Sequence, residues 1–503
     1  MPGSRAFVAV DLGATSGRVM LGRFDGKRTS LDEAHRFPNN PVRYNGTLRW
    51  NMPELWEQIR VGLDAAGSIT PDRIESIGVD SWGVDYALLG EGGTLLENPY
   101  HYRDSRTDGV METVCREIGA ANIYQRTGVQ FLPINTLYQL YAASRRTPRL
   151  LAAADRLVMI SDVVNFWLSG VVACEYTAAS TTQFLSRETQ LWATDLLRDL
   201  GIPTHFLTEI VPPGAVLGPL KSGITSSVNL SRSAVIAPAC HDTGSAVASV
   251  RAGGSTAFLS SGTWSLLGTE LAQPVVTPAA RDLNFTNEGG VCGTIRLLKN
   301  ITGLWLLEGC REEWLSEGSE CPWDGLISSA YGAAPLRSIV DPDDPVFARP
   351  AHMREAIDSF CRETGQPVPG NTGEYVRTVL ESLALKYRYV LEQIESVAGR
   401  SFTTIRVIGG GARNDALSHF TANATGREVL AGPAEATALG NVAIQMLASG
   451  CVQSLDEARD ILERSYTPVK FEPSASSLWD SSYKTLMEIM EQRRATAVRA
   501  GPA

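Results

Sequence analysis

Two short segments of this chain, about 250 residues apart, are built alike: Val10-Asp11-Leu12-Gly13-Ala14-Thr15-Ser16 and Leu259-Ser260-Ser261-Gly262-Thr263-Trp264-Ser265. Each is an apolar strand, then a turn with one glycine and hydroxyl residues, then a second apolar strand, Val19–Phe24 in the first case and Leu266–Leu267 in the second. Gly/Ser/Thr turns are common enough for the likeness to arise by chance. If it is real, the chain holds two related lobes, each presenting a phosphate-facing hairpin to a shared cleft. At roughly 100–200 residues per domain, the length leaves room for two such lobes and more.

Composition narrows the class. Hydrophobic residues are 44% and charged residues 20% of the 503, ordinary usage for a globular chain, which excludes disordered, collagen-like and disulfide-scaffold readings. Forty-five basic against 55 acidic residues give a net charge of −10, which argues against nucleic acid or an anionic membrane as partner. Met1–Arg5 carries one Arg, and the apolar stretch Ala6–Val10 is broken by Asp11, so the start does not read as a signal peptide. The nearest approach to a membrane span, Leu157–Cys174, contains Asp162 and Asn165 and reads as a buried helix. The eight cysteines (115, 174, 240, 292, 310, 321, 361, 451) are scattered with no C-x-x-C pair, so reduced thiols and a cytoplasmic location are expected.

Strand-like and helical segments alternate throughout, the pattern of an α/β architecture. Phe7–Asp11 pairs with Val19–Phe24, and Ile74–Asp80 with Val84–Leu89 as a second hairpin-like unit. Arg103–Leu151 reads mainly helical, Pro212–Gly223 as a loop, and Ala234–Ala239 as a strand. In the second half, Gly373–Ala398 is a long helix, Thr404–Ile408 a strand running into a glycine turn, and Glu435–Ala448 another helix.

Four clusters carry chemistry. The Gly13–Ser16 turn exposes backbone N–H groups and hydroxyls that suit phosphate oxygens, with Asp11 placed to hold Mg2+; a plain hairpin turn is the alternative. Walker and dinucleotide fingerprints are absent: Gly26-Lys27 is followed by Arg28, and Gly409-Gly410-Gly411 by Ala-Arg-Asn. Cys240-His241-Asp242-Thr243-Gly244 follows a strand and opens a small-residue helix, so Asp242 is either a general base for a substrate hydroxyl or a helix cap. Asp80-Ser81-Trp82-Gly83-Val84-Asp85 offers Trp82 as a sugar platform or as core filling, and Arg103-Asp104-Ser105-Arg106 is a polyol site or a solvated helix start.

These segments together resemble the FGGY family of carbohydrate kinases, closest to its L-rhamnulose branch, over about residues 6–470. The likeness rests on ten ordered motifs, VAVDLGATSGRVML (8–21), SIGVDSWGVDYALL (76–89), YRDSRT (102–107), YQRTGVQFLPINTLYQL (124–140), HDTGSAV (241–247), LSSGTWSLLG (259–268), NFTNEGG (284–290), LLKNITGLWLLEG (297–309), VIGGGARND (407–415) and AGPAEATALGN (431–441). It implies an α/β fold of two actin-like, ribonuclease-H-type lobes with an ATP/sugar cleft. The domains would be 1–247 for sugar and first phosphate loop, 248–455 for nucleotide, and a helical tail 456–503. By motif, Ala14, Thr15, Ser16, Gly17 and Arg18 match the first phosphate loop, and Thr263 the second. Asn300, Glu308 and Gly409, Gly410 and Gly411 match nucleotide contacts; Gly83 and Trp82 with His241, Asp242 and Thr243 match sugar contacts; Asp242 matches the base. Glu308 stands where the family pattern has Gln, and a carboxylate is less welcoming to a polyanion. The implied activity is ATP- and Mg2+-dependent phosphorylation of L-rhamnulose at its C1 hydroxyl, by a monomer or homodimer. A kinase for L-fuculose or D-xylulose, or a non-catalytic sugar-sensing relative, is the alternative.

Overall fold

The computed structural model describes residues 4–474 and 477–500. The chain groups into two compact units, Met1–Arg251 with Glu270–Leu297 and Ala436–Tyr466, and Ala252–Thr269 with Leu298–Glu435 and Thr467–Ala503.

The first unit is built on a six-stranded sheet. Its strands are β1 (Arg5–Leu12), β2 (Ser16–Phe24), β3 (Thr29–Pro38), β4 (Ile74–Ser81), β5 (Ala215–Pro219) and β6 (Ala234–Ala237), in the order β5-β6-β4-β1-β2-β3. β1 pairs antiparallel with β2 and parallel with β4, and β4 pairs parallel with β6. The uninterrupted apolar run of β1 follows from burial on both faces. Ala6, Val8, Val10 and Leu12 join a core completed by Leu55, Ile59 and Leu63 of helix Met52–Ser68, while Phe7 and Ala9 face Leu439, Val442 and Met446 of helix Ala436–Ala448. Alternation along the strand assigns each side chain to one core.

The second unit carries β7 (Thr256–Ser261), β8 (Trp264–Leu271), β9 (Ile295–Thr302), β10 (Thr404–Ile408), β11 (Glu428–Ala431) and β12 (Val469–Phe471), which lie in the order β9-β8-β7-β10-β11-β12 within a seven-stranded sheet. β7 pairs antiparallel with β8 and parallel with β10, β10 parallel with β11, and β11 antiparallel with β12. Strand for strand this repeats β3-β2-β1-β4-β6-β5, so the two similar turns read from the sequence occupy the same topological place in two copies of one plan. Helix Thr372–Ala398 backs this sheet; Asn371 caps it by accepting from Glu374 N–H at 3.1 Å, and Gly399 ends it at φ 65°.

One expectation met a different arrangement. Tyr86–Leu89 pairs antiparallel with Arg156–Met159 rather than folding back on β4. Val84, at φ 65°, turns the chain out of the sheet after Gly83, and a β-branched residue in that region needs support from its surroundings. Ala436–Tyr466 packs with the first unit. Helix Ala436–Ala448 and helix Leu455–Ser465 place Ala438, Leu439, Val442, Ile461 and Leu462 in the core beneath β1 and β2. The expected outer domain ends at Met1 and Ala503 lie outside the described residues. Among the described residues, no helix is long and apolar enough to cross a membrane, and the segment around Leu157–Cys174 is a strand followed by helix Ile160–Ser169. All eight cysteines are free thiols.

Helix Ala436–Ala448 approaches helix Asp242–Ala248 backbone to backbone at Gly440, where a Cβ would overlap the Ser245 carbonyl oxygen. Gly440→Ala is expected to cost at least about 2 kcal/mol in urea-monitored unfolding through overpacking. Gly332→Ala, where a Cβ meets open space, serves as the control and should stay within about 0.5 kcal/mol of wild type. Equal stability of the two variants would contradict this close approach.

Candidate active site

In open α/β sheets ligands gather at the carboxyl ends of the parallel strands. In the first unit β1, β4 and β6 bring their ends together there. Asp11 on β1 is in register with Asp80 on β4, and Ser81 forms a parallel bridge with His241, just beyond β6. Ser81 N–H donates to the Cys240 carbonyl at 2.9 Å, which extends the β4–β6 pairing to the start of helix Asp242–Ala248. Asp11, Asp80 and Asp242 thus share one edge.

Their electrostatics are coupled. Asp80 is fully buried; burial and the charges of Asp11 and Asp242 push its carboxyl well above the usual range, against the pull of an Asn441 hydrogen bond. Asn441 Nδ2 donates to Asp80 Oδ2 at 2.6 Å, and Asp80 Oδ1 has no partner. Gln445 Nε2 donates to Asn441 Oδ1 at 2.7 Å and to the Val8 carbonyl at 2.9 Å, and Ser76 Oγ donates to Gln445 Oε1 at 2.6 Å. Asp11 is paired with Arg18 across the hairpin.

Asp242 keeps about a third of its side chain exposed. Burial raises its carboxyl above the ordinary value; His241 opposes this and Asp11 adds to it. Its Oδ1 accepts from Thr243 N–H and from Thr243 Oγ1 at 3.0 Å, and faces His241 Nε2 at 3.4 Å. No hydrogen bond occupies Oδ2 among the described residues. Asp242 therefore satisfies a first-turn amide with one oxygen, as a capping residue would, and leaves the other open for chemistry.

The Gly13–Ser16 turn closes with Gly13 N–H donating to the Ser16 carbonyl at 2.9 Å, and Asn39 braces it by donating from N–H to Thr15 O at 3.0 Å and from Nδ2 to Gly13 O at 2.9 Å. Ala14 is half-buried and Thr15 exposed, and neither N–H donates a backbone hydrogen bond among the described residues. Two free amides on an exposed turn are what an anion-binding loop needs. Gly17 is buried because a Cβ would overlap the Phe37 ring.

Trp82 is 7% exposed, and its ring lies 4.1 Å from that of Trp50. Its Nε1–H donates to Asp85 Oδ2 at 3.0 Å, so it is largely part of the core. Asp85 is a hub: the same oxygen accepts from Trp50 Nε1 at 2.6 Å and Tyr102 N–H at 3.2 Å, while Oδ1 accepts from Gln139 Nε2 at 2.9 Å. Burial lifts its pKa to about 6 despite these donors. Val84 is held at both ends, its N–H donating to Thr181 Oγ1 at 3.0 Å and its carbonyl accepting from Thr136 Oγ1 at 2.6 Å. Gly83 is required beside it because a Cβ would press on Thr181. In the Arg103–Arg106 cluster, Asp104 caps a short turn and Arg106 is buried, donating to Gln139 Oε1 at 2.6 Å, so both serve structure.

In the second unit, Thr263 Oγ1 donates to Glu308 at 3.1 Å, at the start of helix Trp305–Ser316. The departure from Gln thus has a partner: the carboxylate accepts from the turn hydroxyl. Gly411 is buried against Ser261, where a Cβ would overlap the Ser261 side chain, while Gly410 faces open space. Asn300 lies half-buried on β9.

Sequence reading did not single out Asn441, Glu175, Glu288 or Arg296. Glu175 is fully buried and anchors the loop before Asp242. It accepts from Cys240 N–H at 2.9 Å and Ala178 N–H at 3.1 Å, and from Thr177 Oγ1, which in turn accepts from His241 N–H at 3.1 Å. Only the local E-x-T spacing hints at this, as a cap of helix Tyr176–Ala179. Burial lifts its pKa from 4.5 to about 7. The fold therefore holds the proton more tightly than the unfolded chain does. The stability this group contributes is full below about 4.5 and is lost as pH rises through about 7. Urea unfolding of wild type against Glu175→Gln should show the wild-type advantage shrinking between those pH values by up to about 3 kcal/mol, then levelling. A difference independent of pH would refute the shifted carboxyl.

Comparison with known proteins places this geometry. Residues 6–249 match the N-terminal domain of the FGGY family of carbohydrate kinases, and residues 257–449 its C-terminal domain. The chain is 45% identical over 478 residues to a rhamnulokinase of Bacteroides thetaiotaomicron, covering 95% of this chain and 98% of that protein. It is 43% identical over 477 residues to a rhamnulokinase of Pectobacterium carotovorum subsp. carotovorum, covering 93% of each. In fold it resembles a ligand-bound xylulose kinase from Lactobacillus acidophilus (TM-score 0.81, 18% identity, 98% of each chain) and Plasmodium falciparum glycerol kinase with ADP (TM-score 0.75, 16% identity, 98% of each chain). With both family domains matched along almost its whole length, this chain belongs to the FGGY family of carbohydrate kinases.

Proposed function

We propose that the protein transfers the γ-phosphoryl group of ATP to the C1 hydroxyl of L-rhamnulose, a step of L-rhamnose catabolism, as a cytoplasmic monomer or homodimer. The observation that carries this reading is the 45% identity, from end to end, to a protein named rhamnulokinase. The site geometry supplies a compatible chemistry.

Asp242 Oδ2 is the oxygen that takes the hydroxyl proton. Burial makes it a stronger base than a solvated carboxylate, and a positioned base contributes about 10²–10⁴-fold. His241 and Thr243 hold the other oxygen, so the base cannot swing away from the sugar hydroxyl. Gly83, with the edge of Trp82, forms the sugar-side wall. The amides of Ala14 and Thr15, with Ser16, Gly17 and Arg18, receive phosphate oxygens in the first unit; Thr263, Asn300, Glu308 and Gly409–Gly411 contact nucleotide in the second.

The residues present fit Mg2+. Asp80 keeps a buried, unpartnered oxygen beside Asp11, and oxygen donors are what this ion takes. No group of three or more His, Cys, Asp and Glu is arranged as a metal cage among the described residues, so Asp11 would hold the ion together with phosphate and water. Bound there, Mg2+ neutralises phosphate charge.

Coupled ADP release over a panel of ketoses, with a no-sugar control, tests the reading. The highest kcat/KM is expected with L-rhamnulose; sugar-independent hydrolysis, or preference for L-fuculose or D-xylulose, would overturn it. Asp242→Asn should bind ATP and sugar yet lose at least about two orders of magnitude in kcat. Near-normal turnover in that variant would remove Asp242 from the base role.

A further inference from the structure

Behind the proposed base the first unit buries an arginine with unusual company. Arg296, at the start of β9, has no exposed surface. Its Nε donates to the Gly289 carbonyl at 2.9 Å, its Nη2 lies 3.1 Å from His241 Nδ1 and 3.3 Å from Glu288 Oε2, and its Nη1 has no partner. Glu288 Oε2 sits 3.4 Å from the same imidazole nitrogen and, among the described residues, is within normal hydrogen-bond geometry of no donor. A buried guanidinium with an unsatisfied arm is costly, and its retention calls for a reason.

A guanidinium only donates. Since Nη2–H points at His241 Nδ1, that nitrogen must accept, and the ring proton sits on Nε2, facing Asp242 Oδ1 at 3.4 Å. With the opposite tautomer, the Nε2 lone pair would face the lone pairs of Oδ1 and push the carboxylate out of place. Burial pushes the Glu288 carboxyl up, but its charged surroundings, the Arg296 guanidinium among them, hold it below its ordinary value, so it stays anionic and balances Arg296.

We propose that Arg296, balanced by Glu288, is a positioning residue that holds His241 as a neutral Nε2–H donor, thereby fixing one oxygen of Asp242 and leaving the other for the sugar hydroxyl. This rests on Asp242 being the base. Neither Arg296 nor Glu288 touches substrate; both act through the imidazole.

The test joins a spectroscopic readout to a kinetic one. In protein labelled with 15N-histidine, the His241 signals are those missing from His241→Asn. Wild type at neutral pH should show Nδ1 bare and Nε2 protonated. In Arg296→Met the proton should move to Nδ1, toward Glu288, or occupy both nitrogens. With L-rhamnulose, kcat should fall at least about tenfold while the KM for ATP stays within about twofold. In a His241→Ala background, Arg296→Met should add no further loss. An Nδ1-protonated wild type, an unchanged tautomer in Arg296→Met, or fully additive losses in the double variant would each overturn the proposal. If Arg296→Met does not fold, Glu288→Gln, which removes the balancing charge, takes its place, and the wild-type tautomer still decides. Because the tautomer is read without turnover, a failure of the L-rhamnulose assignment would be distinguishable from a failure here.

Discussion

Like charges that are out of water repel strongly, and the first unit places three carboxylates, Asp11, Asp80 and Asp242, at one sheet edge. Much of its polar architecture reads as a response to that constraint. Asn441 approaches Asp80 from a helix more than 350 positions further along the chain; Gln445 donates to Asn441, and Ser76 and the Val8 carbonyl in turn hold Gln445. Arg18 neutralises Asp11 from the neighbouring strand. The close contact at Gly440 lets the Asn441 helix lie near enough to reach. If that contact is disturbed, the Asn441 donor to Asp80 is displaced and the helix that Asp242 opens loses the packing beneath it.

How much of this was legible in the sequence depends on the range of the interactions. The hairpin Phe7–Asp11/Val19–Phe24, the second strand Leu266–Leu267 and the helix Gly373–Ala398 are specified by local pattern and capping and were readable in kind, although the strands Ser16–Phe24 and Trp264–Leu271 extend past the read ends. Their duplication was readable too, because a small turn between apolar strands leaves a local trace. The fate of Val84–Leu89 was not. A pair of apolar runs around a glycine looks like a hairpin, and only the tertiary bonds from Thr136, Gln139 and Thr181 hold Val84 where it redirects the chain. Trp82 was offered as a sugar platform or core; its partners Trp50 and Asp85 make it largely core, and Trp50 is too distant in sequence to suggest the bond. Glu288 and Arg296 lay in or next to a recognised motif, yet nothing local says that their charges meet at His241.

The placement of cations around the base follows a rule that the chemistry explains. A Lys or Arg directly on Asp242 would lower its pKa and weaken it as a base. The groups nearest its anchored oxygen are instead a backbone amide, a hydroxyl and, at 3.4 Å, an imidazole nitrogen. The cation Arg296 stands one residue removed, where it sets the orientation of the donor without pairing with the base. Burial raises the Asp242 carboxyl, and His241 only partly offsets it.

The two units run the same strand order but carry opposite chemistry at matching positions. In the first, the register pair at the ends of the central parallel strands is Asp11 with Asp80; in the second, the corresponding pair is Ser260 with Ile408, followed by Gly409. A pair of acids suits a metal ion and a hydroxyl to be deprotonated. A hydroxyl, an aliphatic side chain and three glycines suit a polyanion bound through backbone groups, in a chain whose net charge of −10 offers it no general attraction. Glu308 runs against that division, and its bond from Thr263 explains how it is tolerated: the carboxylate accepts from the turn hydroxyl of its own unit. Duplication supplied the frame, and the two copies differ in where they place acids: the first carries Asp11 and Asp80 at the ends of its central strands, and the second carries neither at the matching positions.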